Sequence, residues 1–307
     1  MRWVESGDVR LALFEEGDPT RPTVLLLHGF PDTHSVWDEV AARLRDRFHV
    51  VRYDVRGAGR SDAPRDPRHY TFEHLAADLA AVLDAIGKPA VHLAGHDWGS
   101  LQGWDAVTRP GIRKRVASFT SLGGPGLDQW ARFMEDGTRR EVASQLARSW
   151  YIGAFRLPAL PELAWRAIGR GVMERAIRLG EGVEPRPGHP ADTLATDAAN
   201  GLRLYRCNLG GGRGHGDPRV DVPVQLIEAT RDPFVSPALL ASIPRWAPRC
   251  WHRRVAAGHW AQRGRPDVVA RMIAEFAGHI DGADATPALR RSRVGRGAFG
   301  DRLVVVT

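Results

Sequence analysis

Gly95-His96-Asp97-Trp98-Gly99 is the stretch that decides how this chain folds. The apolar run 90–94 before it predicts a strand, and 100–107 after it predicts a helix. A strand that turns sharply into a helix, with glycines on both sides of one central residue, holds that residue's side chain up at the end of a parallel sheet. Asp97 is therefore the candidate nucleophile.

A carboxylate at this position narrows the chemistry. With a reference pKa of about 3.9 it is ionised at neutral pH and needs no base before it attacks. A serine there suits acyl carbons, because the ester it forms is later cut by water. A serine that attacked saturated carbon would leave an ether, which water does not readily reverse. Attack by Asp97 leaves an ester instead, and water at its carbonyl carbon regenerates the acid. The residue type thus points to hydrolysis at an alkyl carbon, an epoxide or an alkyl halide, and away from esterase or lipase activity. The competing reading is an ordinary turn in which aspartate caps the next helix, so the remaining machinery has to be found elsewhere in the chain.

Such a mechanism needs an orienting acid and a base, following the nucleophile in that order. Residues 222–228 read as a strand and 229–235 as the loop after it, which puts Asp232 where the acid belongs. Residues 251–255 read as another strand, followed by Ala256-Ala257-Gly258-His259-Trp260 and a helix over 266–279. His259 is the candidate base that activates water. Ester hydrolysis also develops an oxyanion that wants backbone N–H donors. The amides of Trp98 and of Phe30, in His28-Gly29-Phe30-Pro31 after the strand 23–27, are the candidates; Pro31 has no N–H and fixes the turn.

With these pieces assembled, the chain resembles the α/β-hydrolase superfamily, in its epoxide hydrolase and haloalkane dehalogenase branch. The match covers roughly 5–280 and includes His28-Gly29-Phe30-Pro31, Asp54-Val55-Arg56-Gly57-Ala58-Gly59-Arg60-Ser61-Asp62, the Asp97 turn, Asp232 and Gly258-His259-Trp260. The resemblance implies an α/β fold with a mostly parallel central sheet, helices on both faces and a helical lid. The core would be 1–123 and 218–280, the lid 124–217. It also implies two lid tyrosines that protonate the epoxide oxygen. Tyr151, in Ser149-Trp150-Tyr151-Ile152-Gly153, and Tyr205, in Leu204-Tyr205-Arg206-Cys207-Asn208, occupy the matching segments. No cofactor and no metal are implied. Arg156 stands where the family often has glutamine; Phe30 stands where many haloalkane dehalogenases have a halide-binding asparagine. These features favour epoxide hydrolysis to a vicinal diol, with a small hydrophobic epoxide as substrate. Haloalkane dehalogenation and a non-catalytic binding domain attached to a dehydrogenase are the alternatives.

Composition sets the outer limits. At 307 residues and 43% hydrophobic, the chain can bury one large core or two small ones. Strands near 24–27, 50–53, 91–94, 118–122, 224–228 and 250–255 alternate with helical stretches, and 3–5 with 9–15 read as an added antiparallel hairpin. There is no internal repeat. No signal-peptide pattern and no bilayer-length apolar run occur, so a cytoplasmic protein without stable membrane insertion is expected. Cys207 and Cys250 are too few for a disulfide framework or a zinc site.

The net charge of +7 and pI of about 10.2 do not argue for nucleic acid. The charge is nearly all arginine, with Lys88 and Lys114 the only lysines, as a GC-rich coding sequence would give. Part of it is local, with Arg290, Arg291, Arg293, Arg296 and Arg302 set against Asp301. The glycine-rich run 210–216 follows a helical stretch and leads into Asp217-Pro218, which fits a flexible lid return better than a phosphate loop. Residues 281–300 read as a linker, yet 302–307 end the chain on a buried-strand pattern that resembles the first strand of short-chain dehydrogenases. The segment 281–307 is thus expected to be a linker and the possible start of a further domain. Oligomeric state is left open by the sequence.

Overall fold

The computed structural model describes residues 1–209 and 217–294. The chain opens with an antiparallel hairpin of β1 (Arg2–Ser6) and β2 (Val9–Glu16). Alternating elements follow: β3 (Thr23–Leu27), α1 (Asp38–Leu44), β4 (His49–Tyr53), α2 (Phe72–Ile86), β5 (Val91–His96), α3 (Trp98–Thr108), α4 (Pro110–Arg113) and β6 (Val116–Leu122). An insertion then contributes α5 (Leu127–Asp136), α6 (Arg139–Arg148), α7 (Trp150–Phe155), α8 (Leu160–Ala176) and α9 (Leu194–Asn208). The chain returns as β7 (Val224–Ala229), α10 (Pro237–Ser242), β8 (Cys250–Val255), α11 (Ala261–Gly264), α12 (Pro266–Ile280), α13 (Pro287–Arg291) and β9 (Arg293–Val294).

The strands form one sheet in the order β1-β2-β4-β3-β5-β6-β7-β8-β9. It is parallel from β4 through β8 and antiparallel at its two ends. Every residue of β3 is buried because helices cover both faces, which is why such strands read as continuous apolar runs. Alternation divides them between two cores. Leu25 and Leu27 join Val51, Leu79, Val82 and Trp104 on one face. Val24 and Leu26 join Val50, Val40, Val269 and Ile273 on the other. The parallel strands leave their carboxyl ends on one edge, the place where open α/β sheets bind ligands. The loops after β3, β5, β7 and β8 all meet there.

The segment after α12 departs from the linker that the sequence predicts. Thr286 Oγ1 accepts the Leu289 N–H at 3.2 Å and caps α13. Leu289 is fully buried against Trp251 and Phe276. β9 then pairs antiparallel with β8, Arg293 with Trp251 and Val294 with Cys250. A single leucine among alanines and arginines has no period for a sequence reading to detect. The runs 210–216 and 302–307 lie outside the described residues. Among the described residues no helix is long and apolar enough to cross a membrane.

Candidate active site

Asp97 sits between β5 and α3 with φ +52° and ψ −123°. A residue with a side chain is held there only at a cost of about 1–3 kcal/mol, and the surroundings must enforce it. They do so through the backbone. The Asp97 N–H donates to the Leu122 carbonyl at 3.0 Å, and its own carbonyl accepts from Ser100 at 2.9 Å and Leu101 at 3.0 Å. The flanking glycines reflect close approach. A Cβ on Gly95 would lie 2.3 Å from the Gly99 carbonyl oxygen, and one on Gly99 would lie 2.4 Å from that of Leu27.

The Phe30 N–H donates to Asp97 Oδ1 at 2.7 Å. A Cβ on Gly29 would lie 2.4 Å from the same oxygen, so the loop after β3 needs glycine there to reach the carboxylate. His28 braces this loop as a neutral imidazole whose pKa is lowered by burial. Its Nδ1–H donates to the Gly29 carbonyl at 2.9 Å, and its Nε2 accepts from the Val55 N–H at 3.0 Å. Trp98 opens α3 directly after Asp97. Among the described residues, Phe30 is the amide donor that the carboxylate engages.

His259 stands behind Asp97, its Nε2 3.6 Å from Asp97 Oδ2. Its Nδ1 is 2.9 Å from Asp232 Oδ2. The other Asp232 oxygen accepts the N–H groups of Phe234 at 2.7 Å and Val235 at 3.2 Å. Burial on its own pushes His259 down, but the carboxylates of Asp232 and Asp97 outweigh it and hold the imidazole up to about 10. Burial likewise pushes Asp232 up, and the histidine with the two amides brings it below the usual carboxylate value. The two acidic side chains that flank the imidazole thus favour its protonated form.

Tyr151, on α7, and Tyr205, on α9, line a cleft of about 1230 Å³ together with Asp97, Trp98 and Phe234. The Tyr205 ring meets Trp98 edge-on at 5.0 Å and Phe30 at 5.2 Å. Tyr151 meets Tyr205 at 6.1 Å and Phe234 at 5.2 Å. Burial raises both phenol pKa values and the charge of Asp97 raises them further, so both keep their protons. Arg156 lines the same cleft and donates to the Leu209 carbonyl at 2.8 Å.

Further contacts hold the histidine loop, and two residues that make them, Asp32 and Glu181, stand in no sequence motif. The Trp260 indole N–H donates to Asp32 at 3.0 Å. His96, whose pKa burial and the neighbouring His259 lower to about 4, is neutral and donates from Nε2 to the His259 carbonyl at 2.9 Å. Glu181, in the turn Ile177–Glu181 after α8, accepts the Gly258 N–H at 3.0 Å and the Trp260 N–H at 2.8 Å. These partners lie far from the loop in sequence, so no local pattern could have announced them.

A family model described as the alpha/beta hydrolase fold matches residues 22–266, a span that contains Asp97, Asp232 and His259. The chain belongs to the α/β-hydrolase fold family. The chain is 41% identical over 324 residues to proteins of Mycobacterium tuberculosis and Mycobacterium bovis called "Probable oxidoreductase EphD", an alignment that takes in 100% of the chain and 54% of theirs. It therefore spans about half the length of those curated relatives. It is 29% identical to epoxide hydrolase A of Mycobacterium tuberculosis over 90% of the chain and 96% of that protein. Among solved structures, the epoxide hydrolase of Bacillus megaterium superposes with a TM-score of 0.75 at 22% identity, covering 90% of this chain and 100% of that one.

Proposed function

We propose that this chain hydrolyses epoxides to vicinal diols through a covalent ester on Asp97. The observation that carries this reading is that Tyr151 and Tyr205, two protonated phenols, share one cleft with a carboxylate raised on a strand-to-helix turn. An epoxide oxygen leaves as an alkoxide and needs a proton; a departing halide does not. The epoxide hydrolase names of several relatives agree with this assignment.

Phe30 already occupies Oδ1, which leaves Oδ2 of Asp97 to attack a ring carbon as the carbon–oxygen bond breaks. The leaving oxygen takes its proton from Tyr151 or Tyr205. The new ester is neutral, so His259 loses one of the two carboxylates that hold its proton. The imidazolium can then reprotonate the tyrosinate and become a base. It takes a proton from water as the hydroxide adds to Cγ of Asp97. Asp232 steadies the imidazolium through Nδ1, and the amides of Phe30 and Trp98 receive the oxyanion. Collapse breaks the bond from Cγ to the diol oxygen, which takes the proton of the imidazolium, and the acid left on Asp97 returns its proton to His259 and is a carboxylate again. Formation of the ester thus switches on the base that removes it.

Replacing His259 with glutamine tests the assignment, because alkylation needs the carboxylate and hydrolysis needs the base. Intact-mass spectrometry of the variant mixed with a reactive epoxide should show one added epoxide mass on Asp97. A folded variant that gains no mass from several epoxides would overturn the roles given to Asp97 and His259. Release of chloride from haloalkanes, measured beside diol formation, would favour the dehalogenase alternative.

A further inference from the structure

We propose that Glu181 is the positioning residue of the hydrolytic half-reaction, a lid carboxylate that grips the backbone on both sides of the base. The proposal rests on the covalent mechanism above. Glu181 is 4% exposed, and each of its oxygens takes one N–H, Oε2 that of Gly258 and Oε1 that of Trp260, so His259 is the residue spanned. The fit extends to the neighbouring glycines. A Cβ on Gly258 would lie 2.5 Å from Oε1, and one on Gly264 2.5 Å from Oε2. The carboxylate therefore enters a notch that side chains would fill.

A carboxylate suits the place because it is acceptor-only and two amide donors converge on it. Glutamine offers one carbonyl oxygen and turns an NH₂ toward the second N–H. The turn that carries Glu181 is anchored by Met173 and Ile177, which are buried with Val255 and Trp260 on the core side. Lid placement and the position of the imidazole are thus joined through one side chain. Asp97 is held separately, by Phe30, Leu122 and the start of α3. Loss of Glu181 should consequently misplace the base while leaving the nucleophile in place.

The test separates the two chemical steps in the full chain. Rapid-quench mass spectrometry with a reactive epoxide follows alkylation and ester hydrolysis in wild type, Glu181→Gln and Gly258→Ala. The second substitution keeps Glu181 itself and crowds its carboxylate and the Gly180 carbonyl, 2.5 and 2.9 Å from the added Cβ. Both variants should alkylate within about threefold of wild type and hydrolyse the ester about tenfold to hundredfold more slowly, the loss typical of a catalytic group displaced by a fraction of an ångström to one ångström. The ester should accumulate during turnover. A merely structural Glu181 would slow both steps together, because the lid also carries Tyr151 and Tyr205; that outcome, or no change in either step, overturns the proposal. Should Glu181→Gln fail to fold, Gly258→Ala alone carries the comparison. His259→Gln serves as the control, and its failure to trap an ester would instead overturn the covalent reading on which this proposal stands.

Discussion

Individual side chains in this site are tuned by what faces them. His259 is raised from an ordinary value of 6.5 to about 10 because Asp232 and Asp97 flank it despite its burial. A folded state that holds a proton more tightly than the unfolded chain gains stability that is complete below the unfolded pKa and is lost as pH rises through the folded one. Between neutral pH and about 10, the melting temperature should therefore fall more steeply in wild type than in His259→Gln. The tyrosines make a second prediction. Tyr151→Phe and Tyr205→Phe remove one proton donor each, and the double variant removes both. The single variants should slow alkylation in single-turnover measurements, and the double variant should lose about 10²–10⁴-fold, the usual reach of general acid catalysis. Ester hydrolysis, which draws on His259, should change little. If alkylation in the double variant matched wild type, the phenols would be lid side chains without a role in the chemistry.

At the level of elements, the alternation of strands with helices was legible where a strand buried on both faces reads as a largely apolar run. The runs 24–27 and 224–228 therefore announce β3 and β7 almost to the residue. Asp97, Asp232 and His259 were legible for a related reason, since each follows a recognisable strand in the order the mechanism requires. What escaped depends on distant partners. Glu181 has no meaning until the fold brings it to Gly258 and Trp260. Phe133, within the predicted lid span, is buried with Leu239 and Leu240, so α5 serves the core as well. The sequence also predicts that a cut near Gly282 leaves stability unchanged, whereas Leu289 fills a site between Trp251 and Phe276. Leu289→Ala should lower stability by about 2–5 kcal/mol, and removal of α13 and β9 by no less. Chemical denaturation of the two variants beside wild type gives the measurement; an unchanged midpoint would return this segment to the status of a linker.

Across the whole molecule, β6 and β7 are hydrogen-bonded neighbours, Phe119 beside Val224 and Leu122 beside Ile227, yet the entire insertion separates them in the chain. Order of synthesis gives that arrangement a consequence. A ribosome delivers β1 through β6 first, with Phe119 and Leu122 on an edge that has no strand to pair with. Such an edge is an invitation to other chains until its own partner arrives. A fragment ending at Leu122 should accordingly sediment when expressed alone, under conditions in which the full chain stays in the supernatant. The same order separates the chemistry in time. Asp97 emerges first, Glu181 later and His259 last of the three, so the residue proposed to form the ester is made before the residue proposed to remove it.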